Sequence, residues 1–521
     1  MRRRDLLAAA GGAVTLGAET HKPAAERSCA ASGSLCYPDL CTTRNGEDTI
    51  RLAFHFALGD LFSNIRMYKS GLLENECACL APGADYTELW TRDSAINVWN
   101  GVGLLFPQVA KSTLLSCING ATRGLTISGQ YWDKIILTLG AWQHYLYTGD
   151  RAFLSLAFEA SRNTLSALER DEFDAERGLF RGPAVYGDGV SAYPPLYTHT
   201  GQYTGGEWVS TITKWVSENP SLRAQTGFGL PMHALSTNCL YCEVYATLPR
   251  MAQELDVPAN PEWKTRESNL REAINREFWD STKDRYRYLV DPNGDSDCQE
   301  GLGLAFALLF GVADEKQREA IFQDTHVTPA GIPCLWPPFA RYVNAARTSY
   351  GRHSGTVWPH IQAFWGHAAA ANGQALLFAQ EFETLTAHAW RDKQFVEIYH
   401  PDTGLPYGGI QESNTRDWDE WKSCDRQSWS ASGYVRLVLM GLFGMAFDTD
   451  GIRFRPCLPW RSEAVRVQGL RYRDAELDIH LTGHGTRMVS IRANGVAASE
   501  AFVPVAAQGK QRIEIELTSV S

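Results

Sequence analysis

The sequence predicts a mainly α-helical protein: a closed (α/α)6 barrel of six helical hairpins, followed by a small antiparallel β domain. Three observations predict it. Apolar residues recur at helical spacing in segment after segment from residue 48 onward. Long connections rich in Gly, Pro and Trp separate those segments, and near the C-terminus the apolar period changes to strict alternation.

Taken in order, residues 1–18 read as an export signal. Arg2, Arg3 and Arg4 precede Leu6 and Leu7 and a short apolar run through Val14 to Ala18, the pattern of a twin-arginine-type leader. The expected location is periplasmic or secreted; a basic start on a cytosolic protein is the alternative. Residues 19–47 show no period and are expected to be a linker or wrapping arm.

Residues 48–449 carry the barrel. Ile50, Phe54, Ala57, Leu58, Leu61 and Ile65 line one helical face. Ile135, Leu139, Trp142 and Leu146 line another before a stop at Gly149. Leu240, Val244, Leu248 and Met251 follow a cap expected at Ser236 or Thr237, and Leu270, Ala273, Ile274 and Phe278 make a further face. Helical patterns also cover 301–311, 359–371, 374–390 and 429–445. The connections 182–204, 328–341 and 401–425 exceed the ~12–15 residues beyond which loops usually serve function. From residue 450 to 521, Leu477, Ile479 and Leu481, then Ile513, Ile515 and Leu517, alternate with polar residues, and Asn494-Gly495 supplies a turn.

A net charge of −10 argues against a nucleic-acid partner, whose phosphates would call for basic clusters. No later segment is long and apolar enough for stable membrane insertion. The twelve Cys form no zinc spacing, no cofactor motif is present, and oligomeric state is left open. His353, His360 and His367 stand seven apart, two helical turns between neighbours, too far to share an ion, so no metal is expected. Sixteen Trp, many beside Gly, Asp or Arg, suit the flat apolar faces of sugars, although core packing uses the same residue.

A glycosidic bond is hydrolysed by one carboxylic acid that protonates the leaving oxygen and a second carboxylate that activates water or attacks the sugar. Acids in loops among aromatics are the candidates. Trp90-Thr91-Arg92-Asp93 presents a ring, a cation and a carboxylate at a helix start; a capped helix with an Arg–Asp pair inside one turn would read the same. Trp132-Asp133 leads a helix, where the dipole alone favours an acid. Gly187-Asp188-Gly189, followed by Ser191, Ala192 and Tyr193, can bring a carboxylate close to a ligand, or be a plain turn. Gly355-Thr356-Val357-Trp358-Pro359-His360 ends a loop on a helix start. Glu397, in Phe395-Val396-Glu397-Ile398-Tyr399-His400-Pro401-Asp402-Thr403-Gly404, stands between apolar residues that would hold it rigidly, with Glu412 a second acid before Ser428-Trp429-Ser430-Ala431.

In their order, these stretches resemble the six-hairpin glycosidases, in particular mannosylglycerate-hydrolase-like enzymes, processing α-glucosidases and trehalases, over roughly residues 48–450. The resemblance implies a glycoside hydrolase, exo-acting and inverting, acting on a carbohydrate. It puts the general base on Glu397 and the general acid on Asp188. Here Gly-Asp-Gly-x-Ser-Ala-Tyr stands where the relatives carry Gly-x-Asp-x-Ser with a nearby Arg. Trp90, Arg92, Asp93, Trp132, Asp133, Tyr193, Trp358, Glu412, Arg426 and Trp429 are expected to shape the sugar site. The rivals are a phosphorylase on the same barrel, a Cys-dependent arabinofuranosidase using Cys424, and a catalytically inactive carbohydrate-binding protein.

Overall fold

A computed structural model describes residues 38–42, 48–121, 124–198, 210–346, 348–412 and 419–518. The expected export signal, 1–18, and most of the expected arm, 19–47, lie outside the described residues.

Inner and outer helices alternate along the chain. The inner ones are Thr91–Asn97, Leu137–Thr148, Leu235–Glu254, Gly301–Leu309, Pro359–Ala371 and Ser428–Arg436. Each packs on the next in that order, and Ser428–Arg436 returns to Thr91–Asn97, so the ring closes as an (α/α)6 barrel. The outer helices are Thr49–Ser63, Pro107–Leu115, Arg151–Glu172, Trp263–Phe278, Glu315–Asp324 and Ala375–Asp392.

Local chemistry sets the ends. Asp48 and Asp150 cap their helices through the backbone N–H groups of Arg51 and Phe153, and Gly149 ends a helix at φ 72°. Asp314 and Gln317 form a reciprocal capping box. Close approach requires small residues in the ring. A Cβ on Gly140 would lie 2.8 Å from the Ala95 backbone, so this glycine lets two inner helices touch.

Three expectations change in detail. Ile65 leaves its helix for the strand Ile65–Tyr68, because Asn64 already turns the chain back toward Leu61. Neither Ser236 nor Thr237 caps its helix: Glu300 accepts from the Ser236 N–H at 3.0 Å, while the Ser236 and Thr237 hydroxyls hold Val185 N–H and the Pro183 carbonyl. The C-terminal sheet runs Asp39–Thr42, Leu458–Tyr472, Ala475–Gly485, Gly509–Thr518, Arg487–Ala493, Val496–Ala497. It is antiparallel except where Ala475–Gly485 meets Gly509–Thr518 in parallel register. Leu477, Ile479, Leu481, Ile513, Ile515 and Leu517 are all buried, as their alternation required.

Since outer and inner helices alternate, the loops that enter the inner helices gather at one end of the barrel. Those loops, with the first helical turns that follow, carry the acids and aromatics singled out from the sequence.

Candidate active site

Glu397 is 1% exposed and is held on both oxygens. Arg352 Nη2 donates to Oε2 at 2.7 Å, and the Tyr86 hydroxyl donates to Oε1 at 2.7 Å. The Cys424 N–H adds a longer contact of 3.4 Å. The segment is pinned on either side: Phe395 N–H donates to Asp60, Glu397 N–H to the Cys424 carbonyl, and Tyr399 N–H to Val357. Burial and the adjacent Glu397 charge push the Tyr86 phenol well up, so it stays protonated as a donor.

Asp188 lies in the loop facing this group. Arg92 does not pair within its own turn. Its Nη1 donates to Asp133 at 2.8 Å and to the Val185 carbonyl at 3.0 Å, and its Nη2 to Asp188 at 3.3 Å. The Asp188 carbonyl accepts from Ile212 N–H, and Val190 N–H donates to the Ser210 carbonyl. Gln411 Oε1 accepts from the Ser191 hydroxyl at 2.8 Å. A Cβ at Gly189 would sit 2.2 Å from that same oxygen, so a larger residue there forces the Gln411 amide or the loop to shift.

Asp93, buried on the turn that carries Arg92, feels the charges of both candidates. Burial pushes its carboxyl up to about 7, against the pull of Arg92, and the negative charges of Glu397, Asp188 and Asp133 add to the rise. Asp133 is likewise pushed up to about 7, first by burial. Burial raises carboxyls elsewhere in the protein as far, Glu300 and Glu381 to about 8, so it is the company of Arg92, Asp133 and Asp188 rather than the rise itself that sets this group apart.

The aromatic wall is continuous. Trp358 donates from Nε1 to the Arg352 carbonyl at 2.8 Å and stacks on His353 at 4.7 Å. Its edge meets Trp429 at 5.6 Å, and Trp429 stacks on His360 at 4.1 Å. Arg92 lies 5.8 Å from the Trp429 ring and Arg352 5.3 Å from that of Trp358. Half-buried Trp90 lines a cavity of about 290 Å³ with Arg92, Gln130 and Asp133. Into this lining fall Asp133 Oδ1 and Arg92 Nε, buried atoms without partners.

The remaining expected site residues have other surroundings. Trp132 is fully buried and donates to the Ala184 carbonyl; Tyr193, also buried, donates to Gly187 O and accepts from Ala184 N–H, so both brace the Asp188 loop from behind. Glu412 accepts from the Tyr342 hydroxyl at 2.7 Å and from Arg341, whose Nη2 holds the Val190 and Tyr193 carbonyls. Arg426 is over half exposed, and its nearest acid is Asp60 at 3.9 Å. Tyr86 and Arg352, which grip Glu397, are the partners to which the sequence reading gave no role. The signals available were their places four residues before Trp90 and six before Trp358.

Cys424 adjoins Glu397, but burial pushes its thiol up to about 12, which leaves it protonated rather than nucleophilic. No group of three or more His, Cys, Asp or Glu among the described residues is placed to hold a metal ion. A larger cavity of about 450 Å³ beside Tyr286, His326 and Trp336 contains none of the candidate acids, so chemistry rather than volume marks the site.

A ring of paired helices opening on buried carboxylates and a wall of indoles is the build of a helical-barrel glycosidase. Residues 86–430 match the model of the mannosylglycerate hydrolase MGH1-like glycoside hydrolase domain, and the chain belongs to that family. The mannosylglycerate hydrolase from Thermus thermophilus, solved with Tris and D-glycerate, superposes with a TM-score of 0.56 at 16% identity, over 74% of this chain and 100% of that one. A sialidase superposes with a TM-score of 0.61 at 14% identity, over 89% of this chain and 40% of that one. A rhamnosidase from a Bacillus species gives 0.54 at 13% identity, over 93% and 44%. The chain thus spans less than half the length of the sialidase and rhamnosidase it matches, and at these identities the likeness is one of fold. No match was found among curated protein sequences.

Proposed function

We propose that the chain is an exo-acting, inverting glycoside hydrolase that releases a terminal sugar from an oligosaccharide or glycoconjugate. Asp188 gives its proton to the glycosidic oxygen as the bond to the anomeric carbon breaks. Glu397 takes a proton from a water whose oxygen attacks that carbon from the opposite face. The observation that carries this reading is the setting of Glu397, a buried carboxylate gripped by Arg352 and Tyr86, with Asp188 held by Arg92 on another loop at the same end of the barrel. Half-buried Trp90 supplies a ring face for the sugar while Trp358 and Trp429, buried against His353 and His360, back the wall, and the likeness to a mannosylglycerate hydrolase favours a small glycoside. The twin-arginine-type start supports export to the periplasm or beyond, which cell fractionation tests directly.

The decisive experiment screens aryl glycosides and oligosaccharides in phosphate-free buffer, then measures Glu397→Gln and Asp188→Asn on the best substrate. Each is expected to lose ~10²–10⁴-fold in kcat. NMR of the first-formed product is expected to show the inverted anomer. Near-native rates in both variants, or retention of configuration, would overturn the assignment.

A further inference from the structure

A third cavity, of about 310 Å³, lies at the opposite end of the inner helices, between the barrel and the C-terminal sheet. The barrel supplies Lys111, His144 and Asp150; the turn after the strand Leu458–Tyr472 supplies Arg473, with Arg471 beside it on the strand. Three cations therefore face one carboxylate. That carboxylate is already committed: Asp150 takes Lys111 Nζ at 2.6 Å and caps Phe153 N–H at 2.9 Å. Arg471 is exposed and makes no ion pair among the described residues. Arg473 spends one nitrogen on the Leu146 carbonyl at 3.3 Å, while its buried Nε has no partner.

Two further features point to a ligand. His144 is 1% exposed and its Nδ1 lacks a partner. Burial brings it down to about 4, so it stays a neutral ring able to offer one N–H. The nine-residue helix Pro107–Leu115 also begins at the cavity with Pro107 and Gln108 and carries no side-chain cap. Surplus positive charge, an orphaned buried imidazole and an uncapped helix start are together the complement of an oxyanion.

We propose that this cavity binds a doubly charged tetrahedral oxyanion, phosphate or sulfate, free or as the ester of a small sugar. Arg471 and Arg473 contact it from the sheet, and Lys111, His144 and the Pro107 helix start from the barrel. An anion there ties the sheet to the barrel floor, far from Glu397.

The test is thermal unfolding of the full chain at constant ionic strength, titrated with sodium sulfate, inorganic phosphate or glucose 6-phosphate, with sodium chloride as reference. A saturable rise in Tm with the divalent anions, absent with chloride and lost in Arg471→Gln and Arg473→Gln, is the expected result. Arg471 is exposed, so its replacement leaves folding intact and keeps the test clear. Tighter saturation by glucose 6-phosphate than by phosphate identifies the ester as ligand, and the reverse identifies the free ion. No saturable rise, or an equal rise in both variants, overturns the proposal.

Discussion

Replacing Arg352 with Met removes the cation from a pair in which the side chains are 9% and 1% exposed and the N–O distance is 2.7 Å. Methionine keeps an apolar stem against Trp358, so packing changes little. Glu397 is then a buried charge with only Tyr86 and the Cys424 N–H, and such a broken pair costs ~3–5 kcal/mol. The single variant Glu397→Gln strands the opposite charge and is also destabilised. The double variant Arg352→Met/Glu397→Gln strands neither, and is expected to be at least ~2 kcal/mol more stable than the two single losses added together. Urea unfolding followed by tryptophan fluorescence reads all four proteins of the cycle. Arg352→Lys serves as a control that keeps the charge but loses the fork, which also holds the Gly408 carbonyl. Losses that add to within ~0.5 kcal/mol would refute the reasoning, because the pair would then not be coupled through a buried charge.

Glu300 gives a pH test. Burial raises its carboxyl from 4.5 to about 8, although the Ser236 N–H pulls the other way. Its stabilising contribution is complete below pH ~4.5, the unfolded value, and is lost as pH rises through about 8. Glu300→Gln keeps an acceptor for Ser236 and should flatten the fall in unfolding free energy between pH ~5 and pH ~8.5; an unchanged slope in urea melts at the two pH values would count against it. Gly189→Ala drives a methyl onto Gln411 Oε1, which pushes away the amide that holds the Ser191 hydroxyl and so loosens the Asp188 loop. It should lower kcat by up to ~10²-fold with Tm nearly unchanged, and native kcat would show that the loop need not sit against Gln411.

Apolar periodicity is a local property, and it located the inner helix Pro359–Ala371 at its observed bounds. What it missed depended on distant partners. At the start of the helix Leu235–Glu254 the Ser236 N–H goes to Glu300, in the next hairpin, and the Leu235 N–H to the Tyr288 carbonyl, so a search for a nearby Ser or Thr cap finds the wrong oxygen. The parallel pairing of Ala475–Gly485 with Gly509–Thr518 depends on a crossover through the strands between them, and alternation alone does not distinguish parallel from antiparallel neighbours. In the candidate site the loops and their acids were legible as motifs, but pairings were not. Tyr86 reaches Glu397 across 311 positions, and Arg92 passes over its neighbour Asp93 to reach Asp133 and Asp188.

The two candidate carboxylates are held in unequal ways, and the inequality fits the unequal work proposed for them. Glu397 has a donor on each oxygen and is closed off from solvent, so its orientation is set before any water arrives. Asp188 has 14% of its side chain exposed and meets Arg92 at 3.3 Å, on a loop whose own carbonyls are tied to Ile212 and Arg341. A base that must aim one water gains from rigidity. An acid that must follow a departing oxygen, then recover its proton from solvent, gains from a firm backbone and a freer carboxyl. Arg92 belongs to both arrangements, since it binds Asp188 and faces Trp429 beside the wall that carries Arg352's carbonyl on Trp358. Under the proposed roles, a shift of the Trp429 wall would bear on Asp188 through the same guanidinium, which would couple the state of the pocket to the placement of its acid.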